Sequence, residues 1–547
     1  MPTNTAPPPL HTHKDEVQSH PAWRWSWLIV LIVTLKSAYL AFFVIPPADI
    51  PDESGHYAYI KDIANGSFFP LLGNATILND LWMDPADKVI LHPRINYIVQ
   101  HPPLYYTLAA IPYALASQVT DDRWFLIRIT RLVSALSLGL TVLVVFRILM
   151  DVGLDPGRSL LVSTSLAFIP TLNSLSAGIT NDVFLLLVCA VATRYLVRFV
   201  LENRLRDAYL CAIWLTLAGA TKMTAWIIIA GFVAVMVLEL RQPIKGWLSH
   251  TIGITVVSLL APLWWMGRNL MHFGDPFYIG ISAAIQPVMP GATMLQFLES
   301  QPFFYFMLVH FYALFGFSGY CQTPSLVHLC QGTRLTHINN EPFFYFLFVL
   351  ALLVLLTVGF AAKQAGRFTS QVRPPEIPQS LQGWVHSMVA RKPIGMALLV
   401  ISISSGVFLY VYAMQTVHAE PGIFNGLVVN GIALAPLLII PFSLVAVLLE
   451  TNPSKRLPHH LILVFALFGM IFILQAHKAY MLVGEMRGAQ GRYFFPYIPM
   501  LLAALATALV DLRFPIKIAL WIVLGLMFAE IYTYLQHVIP FFESVKI

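Results

Sequence analysis

The sequence predicts an all-α polytopic membrane protein, and three observations carry that reading. Hydrophobic residues fill 58% of the 547 positions, whereas Asp, Glu, Lys and Arg together reach only 11%, against roughly 25% in a soluble domain. The mean hydropathy is +0.72. Apolar runs of about 18 or more residues recur, each long enough to carry a helix across ~30 Å of hydrocarbon with its backbone polar groups satisfied internally. A soluble globule is excluded. The formal net charge of +6 comes without any run of like charges, which suits anionic lipid and the positive-inside rule and leaves no footprint for nucleic acid.

The first apolar run, Trp25 to Ile45, follows a polar tail over 1–24 that carries Lys14 and Arg24. It is too long, and lacks the small-residue exit, for a cleavable signal peptide, so it reads as a retained first helix with the tail cytoplasmic. Everything just beyond Ile45 is then extracytoplasmic. The basic connections Arg194 to Arg206, Arg241 to Lys245, Lys363 to Lys392 and Lys455 to Arg456 are expected inside, and the helices between them must obey parity. Parity puts Asn181, Asp182 and Lys222 outside. It also makes Pro103 to Gln118 a juxtamembrane helix rather than a span, so the first outer loop covers 46–122. Residues 25–267 then form a catalytic transmembrane module, 268–341 a second outer loop with an interfacial helix from Pro302 to Phe317, and 342–547 a C-terminal transmembrane module. Crossings number about thirteen by the ~20-residue rule. Of four cysteines, Cys189 and Cys211 lie in apolar runs. Cys321 and Cys330 share the second outer loop, where an oxidising compartment would let them pair.

Chemistry-bearing residues collect on the outer side. Pro51, Asp52 and Glu53 follow the first helix almost at once, with His56 one helical turn past Asp52. A helix N-cap with acids in its first turn would look the same, so the local spacing leaves both readings open. The segment QHPPLYY places His101 before two prolines and Tyr105 and Tyr106 after them; the prolines and tyrosines suit an interfacial anchor, which does not account for the histidine. Arg128 and Arg131 begin the next helix, and Asp182 begins another at the same level. Charges at membrane depth cost ~2.5 to 3.5 kcal/mol each unless paired or facing a cavity, so a pair between one of these arginines and Asp182 is the expected structural solution. Lys222 needs a carboxylate or a phosphate, or it snorkels. Arg268, Lys478, Arg487 and Arg492 stand on the outer edge against the positive-inside rule, and an anionic ligand would resolve that. Arg492 follows Gly491, which lets backbone or ligand approach closely.

These motifs, in order over most of the chain, resemble the GT-C glycosyltransferase superfamily: the acidic pair beyond the first helix, PPLYY about 50 residues later, the outer arginine of RITRLVSAL, ITNDVFLLL and GRYFFP. Within it the chain is similar to a bacterial group of predicted membrane proteins related to the aminoarabinose and protein O-mannosyl transferases. The resemblance implies a sugar taken from a polyprenyl phosphate on the outer face of a bacterial inner membrane and given to a glycan, lipid or protein acceptor. It carries the catalytic acid onto Asp52, with Glu53 as neighbour. The lysine that meets the lipid phosphate in the aminoarabinose branch is replaced here by His101, whose charge depends on pH.

The chemistry can also be argued from the residues. A polyprenyl phosphate leaves as an anion, so the site needs fixed cations, for which His101, Arg268, Arg487 and Arg492 are the candidates, and one carboxylate to accept the acceptor's proton. One base implies inversion, because retention needs a second carboxylate ~5 Å away across the sugar. His56, Tyr105, Arg128, Arg131, Asp182 and Lys222 would support substrate or structure. No cofactor is required; a divalent metal is compatible but not demanded, and no cluster with ligand spacing is evident. A flippase for lipid-linked sugars would share the outer cations but should show repeats and broken midplane helices, neither visible in the sequence. A glycan polymerase or ligase would place its basic residues in a large late loop.

Overall fold

A computed structural model describes residues 21–47, 50–77, 94–278, 288–300, 303, 307, 311, 439–484, 490–510 and 516–540. The chain is an all-α polytopic membrane protein. Among the described residues six helices are long and apolar enough to cross a membrane, or seven if a bent pair is counted as one span. The expectation of about thirteen crossings rests largely on segments within 312–438, outside the described residues. The same is true of the Cys321 to Cys330 pair.

The first helix, α1 (Pro21–Tyr39), ends in a π-helical turn over Leu40–Val44. The segment after α1, expected from the sequence to be the first outer loop, builds a small folded unit: α2 (Glu53–Ala64), a two-residue ladder of β1 (Thr76–Ile77) with β2 (Arg94–Ile95), a 3-10 turn over Tyr97–Gln100, and α3 (Leu104–Ala116). Its 13 residues make α3 only ~20 Å long at 1.5 Å per residue, short of a bilayer core. Tyr105, Tyr106, Ala109, Tyr113 and Ala116 bury one side of it against α2, while Ile111 and Leu115 stay exposed on the other.

Next come α4 (Arg123–Asp151), α5 (Pro156–Thr164), a 3-10 turn over Ser165–Phe168, α6 (Pro170–Ser176) and α7 (Asn181–Glu202). Asp122 and Thr180 cap α4 and α7 by accepting from Trp124 N and Asp182 N at 3.0 and 3.2 Å. The helices α8 (Leu205–Gly219), α9 (Ala225–Glu239) and α10 (Ile244–Phe273) follow, then α11 (Met294–Ser300). The C-terminal part supplies α12 (Ile439–Leu449), α13 (Pro453–Val483), a 3-10 turn over Gly491–Tyr497, α14 (Ile498–Val510) and α15 (Ile516–Thr533). Since α13 runs to Val483, Lys478 lies within the last turns of a helix. The main apolar core joins α7, α8 and α9 to α13 and α14; a second joins α1, α4, α6 and the start of α7.

The absence of broken helices, expected from the sequence, is corrected here. The segment between α4 and α7 is bent by 72° between Phe168 and Pro170, where the proline cannot donate and clashes with the preceding turn. Polar side chains close the break: the carbonyl of Ala167 accepts from Lys36 Nζ at 2.6 Å and from Asn173 Nδ2 at 2.7 Å. Both donors also reach Glu530 of α15. Freed backbone groups in a bilayer must be re-satisfied internally, and these side chains do so.

Candidate active site

Asp52 stands at the entry to α2 with φ +67°, a left-handed conformation that is uncommon for a residue with a Cβ. Its side chain makes no capping bond to the helix. The N-cap reading is therefore set aside, because the carboxylate points away from the amides it would cap. Oδ2 accepts from Arg492 Nη2 at 2.6 Å, and Oδ1 accepts from the Tyr97 hydroxyl.

Each partner is fixed by its own surroundings. Asn96 is fully buried and ties the 3-10 turn to α2, donating from Nδ2 to the Gly55 carbonyl at 2.9 Å and accepting the Ile98 amide at 3.1 Å. That holds Tyr97 beside Asp52. On the other side of Asp52, Ile50 packs on Gly178: a Cβ there would stand 2.3 Å from Ile50 Cγ1. Only glycine admits this approach of the segment before α2 to the turn before α7.

Arg492 is buried and reaches a second acid, with Nε 3.5 Å from Asp182 Oδ2. Asp182 Oδ1 is in turn 2.5 Å from Lys222 Nζ. Lys222 lies in the turn between α8 and α9, and its ammonium sits 4.9 Å from the Tyr493 ring centroid. Lys222, Asp182, Arg492 and Asp52 thus form a row of alternating charge assembled from four distant segments. Burial alone would raise the Asp52 carboxyl above its ordinary 3.8; the charge of Arg492, with the bonds from Tyr97 and Arg492, holds it at about 2. Burial, with Asp52 next, pushes the Tyr97 phenol well up, so it stays a donor.

Glu53 faces elsewhere. Arg131 grips it in a bidentate pair, Nε to Oε1 at 2.8 Å and Nη2 to Oε2 at 2.7 Å, and Oε1 also accepts the Ile179 amide at 2.8 Å. The remaining guanidinium hydrogens go to the carbonyls of Ala41, Ile45 and Pro46. The expected Arg131 to Asp182 pair is corrected to Arg131 with Glu53, because α2 brings its first-turn acid onto α4 while Asp182 is taken by Lys222 and Arg492. This joint pins α2 to α1, α4 and the turn before α7, leaving Asp52 turned into the site.

The other sequence candidates separate. His101 comes near the row, but burial, then Lys222 and His56, lowers it to about 3. That lowering favours the neutral ring when no anion is bound, and its buried Nδ1 has no hydrogen-bond partner among the described residues. His56 Nδ1 lies 2.9 Å from the Tyr106 hydroxyl. Tyr105 turns to Ser134 at 3.1 Å. Arg268 is drawn away from Asp52: it donates to the carbonyls of Pro70 and Phe69 at 2.9 and 3.4 Å and lies over Trp265. It ties the segment at Phe69 and Pro70 to α10. Arg128 makes no ion pair among the described residues, and its Nε is buried without a partner. Arg487 lies outside the described residues. Among those residues, no three His, Cys, Asp or Glu side chains come together in a metal-holding group. Tyr97 is a site residue that sequence reasoning missed; nothing in the local sequence around it signals contact with an acid 45 residues away.

A family model described as dolichyl-phosphate-mannose-protein mannosyltransferase matches residues 100–265. No curated protein matches the chain. Three solved structures are similar at low identity. The S. cerevisiae protein O-mannosyltransferase complex bound to the sugar donor is 15% identical over 51% of this chain, with a TM-score of 0.33. ArnT from Cupriavidus metallidurans in the apo state is 14% identical over 90% of this chain and 78% of its own, at 0.36. The Archaeoglobus fulgidus oligosaccharyltransferase in complex with Zn and sulfate is 12% identical over 93% of this chain, at 0.38. The chain spans only 36% of the matched yeast chain and 53% of the archaeal one.

Proposed function

We propose that the chain is a GT-C-type inverting glycosyltransferase that moves a sugar from a polyprenyl phosphate to a hydroxyl or amine acceptor on the extracytoplasmic face of a bacterial inner membrane. The observation that carries this reading is the row Lys222, Asp182, Arg492 and Asp52: one carboxylate freed from helix capping, set against two buried cations. The family match supports it, since residues 100–265 include His101, Asp182 and Lys222.

In this reading Arg492 and Lys222 receive the phosphate, and the forked guanidinium suits its oxygens. The bond from the anomeric carbon to the phosphate oxygen breaks, and its electrons leave on the phosphate. The acceptor oxygen forms the new bond from the opposite face and gives its proton to Asp52. A carboxyl held at about 2 is always ionised but weakly basic. A phosphate that draws Arg492 away removes its strongest stabilising partner and raises its basicity when the donor is in place. The two cations already supply positive charge for the departing phosphate.

The broken helix between α4 and α7 is a feature the flippase reading predicts. Its freed carbonyl is closed by Lys36 and Asn173, both tied to Glu530, which supports a sealed joint over a moving gate. The test is turnover: purified protein in lipid nanodiscs with a radiolabelled polyprenyl-phosphate sugar and a mixed glycan and peptide acceptor pool. Label transferred to an acceptor supports the reading. Label moved intact across a vesicle bilayer with no transfer would replace it by the flippase.

A further inference from the structure

Of the groups around the charged row, His56 has the most determined chemistry. It is 3% exposed, and its Nδ1 sits 2.9 Å from the hydroxyl of Tyr106, itself fully buried. The same hydroxyl lies 3.0 Å from Nδ2 of Asn181, also fully buried. Tyr106 cannot shift to escape either partner, because its ring stacks on Tyr59 at 4.1 Å and on His56 at 5.7 Å.

The proton positions follow from counting donors. The Asn181 amide donates to the tyrosine oxygen, so the phenolic hydrogen must point to the remaining neighbour, Nδ1 of His56. Turning the amide over would put two N–H donors where Oδ1 now stands without a partner among the described residues, and unpaired buried donors are costlier than an unpaired carbonyl. Nδ1 is then an acceptor, and the imidazole proton resides on Nε2. A doubly protonated ring would aim a second donor at the tyrosine oxygen and leave the phenolic hydrogen nowhere to go. Burial, opposed by Asp52 and reinforced by Lys222, lowers His56 to about 3, in keeping with a neutral ring. Nε2 has no hydrogen-bond partner among the described residues, and it belongs to a side chain one turn beyond Asp52 and within the field of Asp182, Lys222 and Arg492.

We propose that His56 is the site's neutral hydrogen-bond donor to the transferred sugar, its Nε2–H presented to a hydroxyl oxygen by a relay running from Asn181 through Tyr106. This rests on the glycosyltransferase reading. A neutral donor suits a hydroxyl oxygen, whereas the phosphate is already matched by Arg492 and Lys222. His56 touches the substrate; Tyr106 and Asn181 act through it and are positioning residues.

The test has two arms. Ring nitrogens of histidine-labelled protein are read by 15N NMR, with the His56 signal assigned by its loss in His56→Gln. Protonation at Nε2 is expected in the parent, with tautomer exchange appearing in Tyr106→Phe; a parent ring protonated at Nδ1 overturns the relay. In the second arm, kcat/KM is measured with a series of monodeoxy sugar donors. One deoxy position should cost the parent about tenfold or more, the cost of an unmet donor, and cost His56→Phe nothing. His56→Gln, which can place an amide N–H near the same point, should recover part of the difference. If no deoxy position is levelled by His56→Phe while the variant remains folded and binds donor, the sugar contact is wrong. If the parent transfers no sugar at all, the glycosyltransferase reading falls, and the NMR arm still decides the tautomer.

Discussion

Arg492 Nη2 meets Asp52 Oδ2 at 2.6 Å across 440 residues of chain, and the same guanidinium lies 3.5 Å from Asp182. Two carboxylates therefore share one arginine, with Lys222 on the far acid. Arg492→Lys keeps the charge but loses the fork, so it should fold and bind donor more weakly. Arg492→Ala leaves Asp52 and Asp182 facing one another and should lose ~3 to 5 kcal/mol of stability. Donor affinity and thermal unfolding in nanodiscs check both. An Arg492→Lys protein that binds donor as the parent does would move the phosphate site elsewhere.

The depressed Asp52 carboxyl makes a pH prediction of definite sign. Its folded value of about 2 lies below the ordinary 3.8, so it adds stability that is present above pH ~4 and lost as pH falls through about 2. In the free protein no acid limb from Asp52 should appear in kcat/KM above pH ~3. In Arg492→Gln the burial that raises the carboxyl is no longer opposed by the arginine, and the limb should move up. Superimposable acid limbs in parent and variant would show that Arg492 does not control this group.

Glu53 and Arg131 are expected to act on folding. Both side chains are buried, 1% and 0% exposed, and removing one partner of such a pair costs ~3 to 5 kcal/mol. Glu53→Gln should lower the unfolding temperature by several degrees, while the fraction that remains folded still binds donor. Full stability with lost transfer in Glu53→Gln would instead make it a second catalytic acid.

Much of this site was legible in the sequence, and the illegible part has a physical reason. The acidic pair Asp52 and Glu53 was visible just beyond the first helix, and the resemblance singled out Asp52; an outer placement of Asp182, Lys222 and Arg492 was expected from parity and the departure from the positive-inside rule. Pairing did not. Which arginine meets which acid depends on the helical phase of α2 against α4, and one turn decides whether Glu53 or Asp182 takes Arg131. His101 and Arg268 carried the right residue types, yet burial lowers the basicity of one and the Pro70 carbonyl holds the other. Tyr97 was invisible because its contact is made by a loop pinned through Asn96.

Gly178 should tolerate no side chain. A Cβ would stand 2.3 Å from Ile50 Cγ1 and 2.8 Å from its Cβ, and Ile50 is fully buried two residues before Asp52. Gly178→Ala should cost ~1 to 3 kcal/mol of stability by overpacking and shift Asp52 from its partners, lowering transfer more than donor binding. An alanine variant with parental unfolding temperature and transfer rate would show that the loop accommodates the methyl group.

The central claim is that Asp52 accepts the acceptor's proton, and one comparison tests it most directly: sugar transfer and donor binding, measured on the same nanodisc preparations of parent and Asp52→Asn. Asparagine keeps the size of the side chain and removes the base, so transfer should fall by about 10² to 10⁴. Donor binding should stay within a few fold, or tighten as Arg492 is released. Transfer by Asp52→Asn at a rate near the parent's would contradict the account and remove the base from Asp52.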